Sequence, residues 1–331
     1  MTQVSILVAA YNAVETLPQC LDSLCRQTLR DIQILCIDDC STDDTLSLLR
    51  HRAVMDPRIE VLQTPVNSGQ AVARNLALPH VSAPLVCMVD ADDWLSDDAL
   101  ERAVEVFKEH PLTDCCAFRL MQHFESDGRE EDFGLPAQLA FGEALTGSEA
   151  FELCLDGWQL HGLYVTRTEL HRQIPFDTST RLYSDDNTSR LHYLHSREVR
   201  ACAGVYYYRK HAASMTLSFN FRRFDYMEAS LSLLLALKRE HVATELIRRY
   251  ETHRWRIFIG CYRLYLSHIH ELTAEQQTEL KARFATILHT FRPSRLPRRA
   301  RWKPGYWLTV SQRLFDLQQR AYLTLKPQKA S

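Results

Sequence analysis

PLVCMVDADDW, residues 84–94, decides how the rest of the chain is read. Leu85–Asp90 is a short apolar run that breaks into carboxylates, Asp90-Ala91-Asp92-Asp93. A run of that length without alternation suits a strand buried on both faces of a parallel sheet. Val4–Ala10, Gln33–Asp38 and Ile59–Gln63 repeat the pattern upstream. Between these runs the spacing turns helical. Leu17, Leu21 and Leu24 share one face, and Thr45, Leu48, Leu49 and Arg52 follow Ser41, a candidate N-cap. Asp97–His110 reads as a third helix ended by Pro111. The βαβαβ order predicts an α/β fold, an open and mostly parallel sheet with right-handed crossovers and helices on both faces. Ligands in such sheets bind beyond the carboxyl ends of the strands. Three polar clusters fall there: Tyr11-Asn12, Asp38-Asp39 and Asp90–Asp93. Asp43 and Asp97 read instead as caps of the helices that follow them.

Two carboxylates one residue apart at a strand end, Asp90 and Asp92, repel each other if both ionise in one cleft. A hard divalent cation such as Mg²⁺ or Mn²⁺ removes that cost, and Mg²⁺ typically takes one or two carboxylates plus phosphate oxygens. The pair therefore suits a metal–diphosphate site, although D-x-D alone is common in surface loops. In Asn67-Ser68-Gly69-Gln70-Ala71-Val72-Ala73-Arg74-Asn75, Gly69 frees the backbone at a loop-to-helix junction. Arg74, in the first turns of that helix, is placed to pair with Asp38 or Asp39, or to reach a phosphate.

VSILVAAYN, IDDCSTDDT, NSGQAVARN and VDADDW together, in this order and spacing, resemble the family 2 glycosyltransferases of GT-A fold, a Rossmann-like architecture. The close match covers about the first 120 residues. The resemblance implies an inverting transferase that moves a hexose or N-acetylhexosamine from a nucleotide-diphosphate sugar, with UDP as carrier, to a saccharide or lipid-linked acceptor in cell-surface polysaccharide synthesis. By motif position it implies that Tyr11 and Asp39 contact the base, with Ala10, Asn12, Asp38 and Gly69 around them and Arg74 ordering the pocket. Asp90, Ala91 and Asp92 fall to the ribose and the Mn²⁺ or Mg²⁺ ion, with Asp93 as a further ligand. Ala9 departs from the proline of many members.

The resemblance continues more faintly downstream. Arg181-Leu182-Tyr183-Ser184-Asp185-Asp186-Asn187 stands where members carry an acidic pair that supplies the catalytic base. Motif position favours Asp186, with Asp185 the alternative. His211, in Tyr206–Ser214, reads equally as a metal or diphosphate contact and as a solvated histidine. Trp158 and His161 stand where acceptor-facing loops occur, and a buried aromatic is as good a reading of Trp158.

Charge divides the chain. Residues 1–120 hold eighteen Asp/Glu against nine Lys/Arg, whereas residues 281–331 hold twelve Lys/Arg against one acid, Asp316. Residues 1–220 are expected to form the catalytic domain (1–120 for the donor, 121–220 for the acceptor side) and 221–331 a helical region. Ser230–Lys238 and Trp255–Leu266 have strong apolar faces, and a final helix is expected over Thr309–Leu325. The connector 292–303 carries six cations and no acid, with Trp302, Tyr306 and Trp307 close behind. Cations beside aromatics suit an anionic membrane surface. A solvated charge run is the commoner meaning of such a stretch. No nucleic-acid-binding motif accompanies it.

The ten cysteines form no CxxC pair and sit mostly in apolar runs, as buried thiols of a reducing compartment do. No signal peptide and no run of ~20 apolar residues is seen, so the expected location is the cytoplasm, free or peripheral on the inner face of the plasma membrane. Two other functions compete. A sugar nucleotidyltransferase also uses an α/β sheet and Mg²⁺ but needs a glycine-rich phosphate loop, and Ala9–Val14 has no glycine. A non-catalytic nucleotide- or carbohydrate-binding protein has no need of both acidic pairs. The lack of G-x-G-x-x-G after a strand argues against a dehydrogenase.

Overall fold

The computed structural model describes residues 1–210, 219–292, 296 and 312–325, without the side chains of Ser184 and Gln312. The chain divides into two compact units, Met1–Phe219 and Asn220–Ser331.

The first unit opens with β1 (Val4–Ala10), α1 (Leu17–Cys25), β2 (Ile32–Asp38), α2 (Thr45–Met55), β3 (Ile59–Gln63), α3 (Gln70–Ala77) and β4 (Leu85–Met88). It continues through β5 (Trp94–Leu95), α4 (Ala99–Glu109), β6 (Thr113–Phe124), β7 (Arg129–Asp132), β8 (Leu145–Thr146) and α5 (Gly147–Cys154). β9 (Tyr164–Arg167), α6 (Thr168–Gln173), α7 (Ser184–His195) and β10 (Glu198–Lys210) complete it.

One sheet runs β3-β2-β1-β4-β9-β6-β10-β5, with β7 added to β6 and β8 to β10. The four strands read from sequence pair in parallel. β9 then enters antiparallel to both β4 and β6, so the whole sheet is mixed. Alternation explains the continuous apolar runs: Ile6, Val8, Ile34 and Cys36 join α1 and α4 on one face, while Leu7, Leu35 and Ile37 meet α3 on the other. Because β2 and β4 flank β1 on opposite sides, the strand order reverses at β1. The crevice at the carboxyl ends of β1, β2 and β4 is thus the topological switch point where such sheets bind ligands.

Several boundaries differ from the sequence reading. β4 stops at Met88, two residues early. α2 starts at Thr45, so its N-cap position is Asp44, not Ser41 or Asp43, and it has no side-chain cap; Asp43 accepts the Thr45 N–H at 3.0 Å from one residue further out. Ser41 Oγ instead accepts the Asn12 N–H at 3.0 Å. Asp98, not Asp97, precedes α4, and Asp97 makes an exposed ion pair with Arg26. α5 begins with a capping box between Thr146 and Glu149, and its Gly147 lies under α7's last turn. A Cβ there would stand 2.2 Å from the Ser196 carbonyl.

The second unit holds α8 (Asp225–Arg239), α9 (Thr244–Ser267), α10 (Ala274–His289) and α11 (Gln312–Leu325). Phe258 and Tyr262 of α9 pack edge-on against Phe284 of α10, with centroids 5.7 and 5.1 Å apart. The basic connector lies outside the described residues except Arg292 and Leu296, as do Trp302, Tyr306 and Trp307 and the first three residues of the expected last helix. No helix among the described residues is long and apolar enough to cross a membrane. All ten cysteines are free thiols, and Cys36 and Cys87 are buried.

Candidate active site

The crevice is built from strand-end turns. Asn12 leaves β1 at φ +48° and Cys40 leaves β2 at +59°. Tyr183, just before α7, holds +69°. Non-glycine residues in the left-handed region cost of order 1–3 kcal/mol each and gather at functional sites. Among the described residues three of the four such positions border this crevice, His241 being the fourth. Asn12 ties the first two turns together, its Oδ1 accepting the Thr42 N–H at 2.8 Å. Tyr11 remains 47% exposed beside them.

Asp38 and Asp39 are both buried but differ in use. Asp38 accepts weakly from the Ser41 N–H and from Gln63 Nε2 at 3.3 Å. Asp39 is clasped: it accepts from Thr64 Oγ1 at 2.7 Å, the Ser68 N–H at 2.9 Å and the Gly69 N–H at 2.7 Å. It therefore shapes the loop that enters α3, where Gly69 holds φ +92°.

Arg74 corrects one expectation. It pairs with Asp90, not with Asp38 or Asp39. The turn of α3 aims the guanidinium under the end of β4, where it is 1% exposed and lies 5.4 Å from the Phe176 ring. Its Nε and Nη1 find no acceptor among the described residues.

Asp90, Asp92 and Asp93 bring carboxylate oxygens within 4.8 Å of one another, and no other such cluster of acids, histidines or cysteines occurs among the described residues. Their roles separate on burial. Asp93 is 1% exposed; it accepts the Tyr206 hydroxyl at 2.8 Å and the Arg209 N–H at 2.8 Å. Burial first, then the charges of Asp90 and Asp92, push its carboxyl well above the ordinary range. The Tyr206 hydroxyl in turn accepts the Asp90 N–H at 3.1 Å, and Arg209 Nε donates to the Asp92 carbonyl at 2.7 Å. Asp93 is thus the pin that locks this turn to β10, a poor candidate for a ligand. Asp90, half-exposed, has its charge balanced by Arg74, and Asp92, also partly exposed, is the second carboxylate of the pair that could hold a cation. The oxygen-only donor set fits Mg²⁺ or Mn²⁺. His211 lies outside the described residues.

The acidic pair at the start of α7 closes the far side. Asp185 Oδ2 accepts from Gln70 Nε2 at 2.7 Å, which links it to the residue after Gly69. Burial raises its carboxyl, Arg74 opposes this and Asp90 adds to it, so the pair and the D-x-D turn share one electrostatic field. Asp186 is pushed up to about 7, first by burial and then by Asp185, with Arg190 opposing. α7 is anchored from beneath by His192, whose Nδ1 accepts the Tyr164 hydroxyl at 2.7 Å and whose Nε2 lies 2.8 Å from the Ile174 carbonyl. His161 is buried against Phe133, its pKa pushed down to about 4 by burial, and Trp158 carries the Arg190 guanidinium 4.2 Å over its ring.

Sequence reasoning missed Gln70, Tyr206 and Arg209 as parts of the site. Gln70 and Arg209 lie in motifs already quoted, but their partners are 115 and 116 residues away.

Residues 5–139 match the family model described as Glycosyl transferase family 2. A curated relative, the putative teichuronic acid biosynthesis glycosyltransferase TuaG of Bacillus subtilis, is 33% identical over 146 residues, 43% of this chain and 56% of its own. The chain spans 56%, 62% and 45% of the lengths of three curated relatives it matches. Among solved structures, S. aureus TarS residues 1–349 superpose with a TM-score of 0.70 at 18% identity, covering 99% of this chain and 93% of that one. The mannosyltransferase PcManGT of Pyrobaculum calidifontis, solved with GDP-Man and Mn²⁺, gives 0.53 at 15% identity, covering 99% and 88%. At these identities the two structures share the fold.

Proposed function

We propose, from the match of residues 5–139 to the model of glycosyl transferase family 2, that this chain transfers a sugar from a nucleotide-diphosphate donor to a saccharide acceptor. The observation that carries the reading is the convergence, at the switch point of the sheet, of the Asp90–Asp92 pair with the Asp185–Asp186 pair. A UDP-sugar is the donor favoured here, since TarS is also solved with UDP-GlcNAc. Residues 1–220 carry the reaction.

Asp39 and Tyr11 border the base, and Arg74 fixes Asp90 beside the ribose. Asp92, with Asp90, would hold a Mn²⁺ or Mg²⁺ ion, which would supply charge neutralisation for the leaving diphosphate; His211, the further ligand expected from the sequence, lies outside the described residues. Asp186, deprotonated, removes the proton of the acceptor hydroxyl. That oxygen bonds C1 as the bond from C1 to the diphosphate oxygen breaks, and attack from the face opposite the leaving group inverts the anomeric centre. The positive end of α7 favours the charged form of both carboxylates, while burial and mutual repulsion keep Asp186 basic enough to take a proton near neutrality. The acceptor is a saccharide, free or lipid-linked, in cell-surface polysaccharide synthesis. The basic residues 292–303 favour an anionic membrane face for the second case.

The test is a panel of nucleotide sugars with Mn²⁺ and the full chain. Release of nucleoside diphosphate from one donor supports transfer, whereas pyrophosphate release, or no turnover with any donor, refutes it. Flotation with anionic vesicles, comparing the full chain with one truncated before Arg292, tests the membrane face.

A further inference from the structure

We infer that Arg181 meets the negative charge of the donor and so sets affinity for a nucleoside diphosphate over the bare nucleoside. The inference rests on the donor reading above. Asp38, Asp39, Asp90, Asp92, Asp185 and Asp186 border one crevice, and a diphosphate adds further negative charge to it. A single divalent cation does not balance such a set, so the phosphates need an arginine or lysine as well.

The other nearby arginines of the first unit are engaged. Arg74 is buried and paired with Asp90. Arg209 is committed to the Asp92 carbonyl, Glu125 and Gln19. Arg181 stands apart. It is exposed, five residues before Asp186, and makes no ion pair among the described residues. Its one hydrogen bond there is from Nη1 to the neutral Asn67 Oδ1 at 3.0 Å. A guanidinium carries five N–H donors in a rigid fork, so most of this fork remains for a ligand.

The stem of Arg181 is fixed, and its head is held at one nitrogen only, by Asn67. Its Cα, Cβ and Cγ lie 3.5–3.6 Å from where a Cβ on Gly69 would stand, so the side chain crosses the loop clasped by Asp39. Asn67, which it holds, donates in turn to the Asp39 carbonyl at 3.3 Å. The segment before it is braced to α7: the Asp177 N–H donates to Thr188 Oγ1 at 2.9 Å, and Asp177 Oδ2 accepts from Asn187 at 2.7 Å. An arginine on a fixed stem, between the turn that shapes the base pocket and the acidic pair, lies over the path of the phosphates.

Binding of UDP and of uridine to the full chain in Mn²⁺ tests this, by calorimetry for UDP and ligand-observed NMR for uridine. Arg181→Gln is expected to weaken UDP by ~10- to 100-fold, the range of a lost charged hydrogen bond, and to leave uridine within about twofold. Arg181→Lys should recover part of the loss. Unchanged UDP affinity in Arg181→Gln overturns the inference. So does a parallel loss of UDP and uridine, which would make Arg181 only a brace for Asn67. If the wild type itself binds no UDP, the donor reading fails and this inference falls with it.

Discussion

Replacing Asp185 by Asn should move the pH profile of transfer toward acid, while replacing Asp186 by Asn should remove transfer. Asp186 is held at about 7, by burial first and by the Asp185 charge second. A base must be deprotonated to act, so the wild-type rate follows the deprotonated fraction. With a pKa near 7 that fraction is about one-tenth at pH 6 and about nine-tenths at pH 8. Transfer at saturating donor should therefore climb close to tenfold over those two pH units. Asp185→Asn removes a negative neighbour and leaves burial in place, so the limb shifts to lower pH without vanishing. Asp186→Asn should lower kcat by ~10²-fold or more with donor binding retained. Stability carries the opposite sign. A carboxyl raised in the fold binds a proton more tightly there than in the unfolded chain, so its contribution is complete below the unfolded value near 4 and is lost as pH rises through 7. Asp186→Asn should raise the melting temperature at pH 8, by an amount that shrinks toward pH 5. The assay is release of nucleoside diphosphate against pH, paired with thermal unfolding over the same range. Full transfer by Asp186→Asn, with loss confined to Asp185→Asn, would refute the assignment. An unmoved limb in Asp185→Asn would refute the electrostatic account.

Other expectations are local. Tyr206→Phe removes the hydroxyl between the buried Asp93 carboxyl and the part-buried Asp90 N–H, and should cost about 1–3 kcal/mol in denaturant unfolding. Gly147→Ala places a methyl 2.2 Å from the Ser196 carbonyl and 2.4 Å from that of Tyr193, both backbone, and should destabilise by about 3 kcal/mol or more. Asp92→Asn should weaken Mn²⁺-assisted UDP binding by at least ~10-fold in calorimetry while leaving metal-free UDP binding little changed. EDTA should abolish transfer, and added Mn²⁺ should restore it.

The parallel half of the sheet was legible because β1, β2 and β4 are buried on both faces and run into polar residues, while β3, at the edge, keeps a short run rich in aliphatic residues. β1 and β3 match the sequence reading residue for residue. The antiparallel entry of β9 was not legible, since Tyr164–Arg167 is four residues long and its pairing with β4 and β6 is set by tertiary contacts. Asp90 and Asp92 were singled out by their spacing at the end of an apolar run, and the structure brings their carboxylates together. The partner of Arg74 was not, because the rotation of α3, and not the order of motifs, decides which strand end its side chain meets. The burial of Asp93 has the same origin. In sequence it is a third acid in a row, and only β10 crossing 113 residues later turns it inward. Ser41 failed as a cap because α2 begins only at Thr45, and its hydroxyl accepts instead from the Asn12 N–H.

The Tyr206 hydroxyl bridge has a practical consequence for swapping parts between relatives. β10 lies in residues 121–220, which the proposed reading gives to the acceptor, yet its Tyr206 and Arg209 set the backbone of the turn after β4. A chimera joined after β9 that imports a foreign last strand would exchange part of that segment and loosen the D-x-D turn together. Grafts meant to retarget this scaffold should therefore keep residues 198–210 native to residues 90–94 and place both junctions within 125–197.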